Sequence, residues 1–101
     1  MKVQINYGDI EGSAALAEHV ERSIEGALPG STGDRVTRVE VHLRDDKSGR
    51  SGPDDMRCLM EYRLAGEQPD VVDARGEDIY DVVRECADKL GRAVTRKVER
   101  S

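Results

Sequence analysis

The nine residues VTRVEVHLR, positions 36–44, alternate cleanly: Val39, Val41 and Leu43 fall on one face, and Arg38, Glu40, His42 and Arg44 on the other. Period-two alternation marks a β-strand with one dry side and one wet side. A sheet built from such strands needs covering on one face only, with solvent on the other. The pattern recurs in MRCLMEYRL, 56–64, with Met56, Cys58, Met60, Tyr62 and Leu64 inward and Arg57, Leu59, Glu61 and Arg63 outward. KVQINY, 2–7, repeats it with Val3, Ile5 and Tyr7 on one side, and the shorter VVDAR, 71–75, follows the turn AGEQPD. Between the two long strands, DDKSGRSGPDD, 45–55, has the Gly, Pro, Ser and Asp content of a flexible hairpin loop.

Two segments carry the helical period instead. Leu16, Val20, Ile24, Ala27 and Leu28 recur at spacings of mostly three and four, predicting a helix over about 13–28 that ends at Pro29-Gly30. Ser13 is placed to cap it. A second helix starts near Asp78, a natural cap, with Asp81 in its first turn, and carries Ile79, Val82, Val83, Cys86, Leu90, Ala93 and Val94 on one stripe. The order β-α-β-β-β-α with one wet sheet face predicts an α+β two-layer sandwich, a four-stranded sheet with both helices on one face. With 101 residues the chain reads as a single domain, 1–101. It contains no Phe, no Trp and only three Tyr, so its core must come from Val, Leu, Ile, Ala and Met. Cys58 and Cys86 sit in apolar register without a CxxC partner and read as two reduced, buried thiols, a disulfide being the alternative. No apolar run reaches the roughly 20 residues of a membrane span, and the first residues enter a strand directly, so a cytoplasmic protein is expected.

The formal net charge of −5 hides an asymmetry. Residues 1–88 hold 11 Lys and Arg against 20 Asp and Glu, whereas residues 89–101 hold five against one. At 100° per residue, Lys89, Arg92, Arg96 and Arg100 fall within about 80° of one another beside the apolar stripe, forming a ridge. Local pairing explains part of it: Glu85 to Lys89 and Asp88 to Arg92 are acid-before-base pairs at i,i+4, and the helix dipole favours cations at this end. Arg96, Lys97 and Arg100 have no acid four residues before them, and Lys97 falls on the line of the apolar stripe, so the helix is expected to have run past the core there. A solvated helix end and a phosphate-gripping surface both fit. The sheet's wet face offers a second basic group, Arg38, His42, Arg44, Arg57 and Arg63, diluted by Glu40 and Glu61; cross-strand charge pairing is expected to account for most of it.

Catalytic chemistry finds little footing. His19 lies on the rim of the first helix's apolar stripe, His42 lies on an exposed strand, and neither has a partner at metal-ligand spacing. The sequence has no phosphate-cradling glycine motif, nucleophile elbow or HExxH. No catalytic residue, metal or cofactor is assigned.

The stretch ARGEDIYDVVRECADKLGRAVTRK resembles a segment of the ribosome hibernation promoting factors, also called ribosome-associated inhibitor A or sigma-54 modulation proteins. The likeness runs through Gly76, Asp78, Ile79, Tyr80, Asp88, Lys89, Leu90 and Arg92, then into Arg96 and Lys97. VQINYGDIEGSAALAEHV is similar to the family's opening strand and capped helix, and the element order agrees as well. The resemblance implies a non-enzymatic protein that binds the small ribosomal subunit, 16S rRNA and neighbouring ribosomal proteins, in the channel that messenger and transfer RNA would occupy, and silences translation in stationary phase or stress. It implies RNA contacts by Lys89, Arg92, Arg96, Lys97 and Arg100, together with Arg22, the one cation of the first helix. It implies no small-molecule substrate and no membrane, and a protein that is monomeric off the ribosome. Since the chain stops just beyond the second helix, it resembles the short form, without the long form's dimerisation domain. Where the family often lines helix one with lysines, this chain has Glu18, Glu21 and Glu25. That departure keeps a second reading open: a divergent paralogue acting as an acidic, protein-binding regulatory module.

Overall fold

A computed structural model describes residues 1–46 and 55–100. The elements are β1 (Lys2–Asn6), α1 (Ala14–Ala27), a single-turn α2 (Gly30–Gly33), β2 (Val36–Asp45), β3 (Met56–Leu64), β4 (Asp70–Gly76) and α3 (Ile79–Arg100). Apart from α2, this is the expected β-α-β-β-β-α order. The loop expected over 45–55 lies largely outside the described residues.

The sheet is mixed and open, with strands in the order β1-β2-β3-β4. β1 runs parallel to β2, as the intervening α1 crossover requires, while β2–β3 and β3–β4 are antiparallel. The helix boundaries have local causes. Ser13 accepts the Leu16 backbone N–H at 3.1 Å and so caps α1, and Pro29 follows its last turn. Asp78 Oδ1 accepts from the Tyr80 N–H at 2.8 Å and from the Asp81 N–H at 3.4 Å, opening α3.

One cluster forms the core: Leu16, Val20, Ile24 and Leu28 of α1 and its end, Val82, Val83, Cys86, Leu90, Ala93 and Val94 of α3, and the inward residues of the strands. Tyr62 lies at the centre of the sheet's covered face, 2% exposed. Cys58 and Cys86 are free and buried. The Cys86 thiol donates to the Cys58 carbonyl at 3.5 Å, and hydrogen bonding to Cys86 together with burial pushes the Cys58 thiol far above its ordinary range. At Gly91 the two helices nearly touch, because a Cβ there would collide with the Ala27 carbonyl oxygen.

The register corrects one expectation about the uncovered face. Like charges, not opposite ones, stand directly across from each other: Lys2, Arg38 and Arg63 form one row, Glu40 and Glu61 a second, and Arg44, Arg57 and Arg75 a third. The opposite-charge contacts run along or diagonally between strands: Arg38 to Glu40 at 3.0 Å, His42 to Glu40 at 3.4 Å, and Arg57 to Asp73 at 3.5 Å. Cross-strand pairing therefore does not explain the basic residues here.

Candidate nucleic-acid interface

The cations of α3 divide into two sets. Lys89 and Lys97 lean toward β4 and are held within the fold. The Lys89 ammonium donates to the Asp73 carbonyl at 2.9 Å. The Lys97 ammonium lies 3.3 Å from Asp70 Oδ2 and 5.5 Å from the centre of the Tyr62 ring, with its side chain only 20% exposed. The sequence reading of Lys97 as lying past the core is thus corrected. The stem of Lys97 covers the buried tyrosine while its head reaches water, and Val98 packs against the core one residue further on.

Arg92, Arg96 and Arg100 form the other set. All three are exposed, and among the described residues none makes an ion pair. The local neutralisation expected by helical spacing is not made either: neither Glu85 to Lys89 nor Asp88 to Arg92 closes into an ion pair among the described residues. Arg92 and Arg96 border an open groove lined also by Asp88, Gly91 and Thr95 of α3 and by Gly26, Ala27 and Pro29 at the end of α1. The close approach at Gly91 sets the groove's depth, and the apolar stripe of α3 fixes the direction in which the arginines point.

Arg22, assigned with these residues from the sequence, stands apart. It lies on α1, outside the groove, with its guanidinium 2.6 Å from Glu18. On the far flank of the same helix, Glu21 and Glu25 border a depression shared with Met1 and Val3 of the β1 edge. The molecule thus keeps its acidic helix flank over one sheet edge and its unpaired arginines on the other helix.

The remaining titratable groups serve the fold. His19 Nε2–H donates to the Tyr80 carbonyl at 2.8 Å, and its ring lies 4.8 Å from the Tyr80 ring, joining α1 to the start of α3. Asp70 has its carboxyl held below the usual carboxylate range, first by the Val71 N–H and further by Lys97. Burial and the neighbouring Asp70 carboxylate push the Tyr62 phenol up. Among the described residues no group of three His, Cys, Asp or Glu could hold a metal ion. Among the described residues no helix is long and apolar enough to cross a membrane.

What the sequence reading missed on this surface is the register of the uncovered face, which adds Arg75 to the basic residues. Its place in the row depends on the β3–β4 register as well as that of β2 and β3, and neither connection's composition fixed a turn type.

Comparison with known proteins agrees with this fold. The fold matches a ribosomal subunit interface protein from Coxiella burnetii with a TM-score of 0.78 at 17% identity, covering 98% of this chain and 99% of that one. It also matches the N-terminal domain of Protein Y from Thermus thermophilus, TM-score 0.72 at 21% identity, over 95% of this chain and 98% of the other. A search of curated proteins returns no match. The family model described as "Sigma 54 modulation protein / S30EA ribosomal protein" matches residues 3–101, and this chain, with its capped helices, mixed four-stranded sheet and basic closing helix, belongs to that family.

Proposed function

We propose that the protein is a ribosome hibernation factor: it docks on the interface side of the small ribosomal subunit, in the path of messenger and transfer RNA, and blocks translation in stationary phase or stress. It acts in the cytoplasm by occupancy, without catalysis or a small-molecule substrate. The observation that carries this reading is the set Arg92, Arg96 and Arg100, which local pairing leaves unneutralised on a helix whose apolar stripe holds it rigid. Guanidinium groups so placed suit phosphate oxygens, which position a protein on folded RNA while the RNA's shape supplies specificity. Lys89 and Lys97, already engaged within the fold, would add charge but fewer direct contacts.

Co-sedimentation with purified small subunits tests this. Arg92→Glu combined with Arg96→Glu should abolish binding at low salt while leaving the circular dichroism spectrum unchanged; binding at the wild-type level would refute it. With three phosphate contacts, log affinity of the wild type should fall against log salt with a slope of about −2 to −3.

The second reading, an acidic module that binds a basic protein, is favoured by Glu21 and Glu25, which make no ion pair among the described residues and lie on the flank away from the arginines. A pull-down from ribonuclease-treated lysate separates the two. Partners lost on RNA removal support the ribosomal reading, and partners retained support the acidic module.

A further inference from the structure

The uncovered sheet face has no role in the reading above, yet its charges are arranged in a way that sheet stability does not explain. Arg44 faces Arg57 across β2 and β3, and Arg57 faces Arg75 across β3 and β4. Like charges directly opposite each other disfavour a sheet. Arg44 and Arg75 are exposed and make no ion pair among the described residues. Arg57, between them, reaches Asp73 with one terminal nitrogen, but its Nε is enclosed and has no hydrogen-bond partner. A buried guanidinium N–H without an acceptor is unfavourable, so Arg57 is kept here at a cost that its contact with Asp73 does not remove. Arg57 also lines a hollow of ≈ 420 Å³ together with Asn6, Gly8, His42, Arg44 and Leu59. Gly8 keeps one side of the hollow bare: its φ is +55°, and a Cβ there would lie 2.7 Å from the Leu43 carbonyl oxygen.

We propose that the row Arg44–Arg57–Arg75 is a second RNA-backbone site, on the face opposite the helices, and that the polynucleotide crosses the strands instead of running along them. The direction follows from the charge rows. Adjacent strands lie about 4.8 Å apart, so the row spans about 10 Å of backbone positions. A row of that length lies within reach of roughly two or three successive phosphates of one polynucleotide strand. A strand laid along β2 or β3 would instead reach Glu40 and Glu61 about 13 Å further on. Of the acids nearby, Asp73 is engaged with Arg57, and Asp9 Oδ1 accepts the Asp45 N–H at 3.0 Å. Leu59 and the His42 ring offer a surface beside the row against which a base can lie. The identity of the polynucleotide as ribosomal RNA rests on the function proposed above, whereas the site's chemistry does not. With both sites occupied, RNA holds the protein on two opposite faces.

The test uses the full chain and two probes, a 20-nucleotide single-stranded RNA read by fluorescence anisotropy and purified small subunits read by co-sedimentation. Arg44→Gln combined with Arg75→Gln, two exposed positions, should leave the melting temperature unchanged, weaken binding to RNA about tenfold, and make the salt slope shallower by about 1.4. An unchanged affinity and slope would overturn the site. Small-subunit binding that is lost in the Arg92→Glu, Arg96→Glu protein but untouched in the sheet variant overturns this proposal and leaves the ribosomal reading standing. RNA binding that follows the sheet variant in a protein that ignores small subunits does the reverse. A wild type that binds neither probe, or that binds poly-glutamate only when the row is intact and RNA not at all, overturns the RNA site.

Discussion

The two long helices pack side by side on the same face of the sheet by the same kind of apolar stripe, yet their charges follow opposite logics. Along α3 the balance shifts from acid to base: Asp81, Glu85 and Asp88 outnumber Arg84 and Lys89 in the first half, and Arg92, Arg96, Lys97 and Arg100 outnumber Glu99 in the second. That order suits the helix dipole at both ends. α1 ignores it. No acid stands in its first turn and no base in its last; Glu25 lies near the C-terminal end, where a negative charge is disfavoured. Glu21 and Glu25 are also a like-charged i,i+4 pair, and the helix's one cation is absorbed by Glu18. The basic end of α3 thus coincides with what local stability favours, while the acidic flank of α1 opposes it. On the function proposed above, acids kept at a local cost would direct RNA away from that flank and so orient the protein.

The largest expected effect lies where the two helices meet. An alanine in mid-helix is ordinarily about 1 kcal/mol better than glycine. At Gly91, however, the added methyl group would press on the Ala27 carbonyl, backbone that cannot swing aside. Gly91→Ala is therefore expected to destabilise the protein by about 1–3 kcal/mol, seen as a lower urea midpoint with an unchanged m-value. A stabilised variant would mean that the helices are not seated as closely as described, and the groove carrying Arg92 and Arg96 would lose its basis.

Neighbouring cations on α3 should respond differently to truncation. Lys97→Ala removes a contact over Tyr62 and a partner of Asp70, and is expected to cost about 1 kcal/mol of stability. Arg96→Ala, one residue away and exposed, should stay within about 0.5 kcal/mol of wild type while weakening RNA binding. Acid titration sharpens the difference. The Asp70 carboxyl is depressed in the folded state, so its contribution is present above the unfolded carboxylate range near 4 and is lost as pH falls below it. Because Lys97 supplies part of that depression, Lys97→Ala should lose less stability than wild type between pH 5 and 2, whereas Arg96→Ala should parallel wild type. Parallel acid limbs for all three proteins would show that Lys97 is no more tied down than its neighbour.

Most of the fold was legible because the chain states it twice, in period and in punctuation. Val39, Val41 and Leu43 alternate inward, Leu16, Val20 and Ile24 recur at helical spacing, and Ser13 and Asp78 stand at the caps they make. The site was only partly legible. Helical geometry groups Lys89, Arg92, Arg96 and Arg100 by angle, but it says nothing of β4, whose Asp70 and Asp73 carbonyl claim Lys97 and Lys89 across the tertiary fold. Arg22 was grouped with them by likeness alone, and its nearest acid was four residues away in the same helix. The arginine row on the sheet was invisible for a different reason. Alternation tells which face a residue takes, whereas the residue opposite it depends on register, and a shift of two along β3 would have set Arg44 against Leu59 instead of Arg57.

The smallest expected effect bears most directly on why the helices differ. Glu25→Lys would place a cation in the last turn of α1 and turn a like-charged pair with Glu21 into an attractive one. The dipole contributes about 0.3–1 kcal/mol and the pair about 0.2–0.5 kcal/mol, so a stabilisation of about 0.5–1 kcal/mol is expected in chemical denaturation. If α1's acidic flank faces away from RNA, the same change should raise affinity for small subunits less than threefold at 150 mM salt, because charges more than about 8 Å apart are then largely screened. A gain of tenfold or more would put that flank against phosphate, and the acidic residues would then set the strength of binding and not its direction. A more stable protein with unchanged affinity would instead show that Glu25 is retained against the helix's own interest, which is what an orienting charge, or a contact with a basic protein, requires.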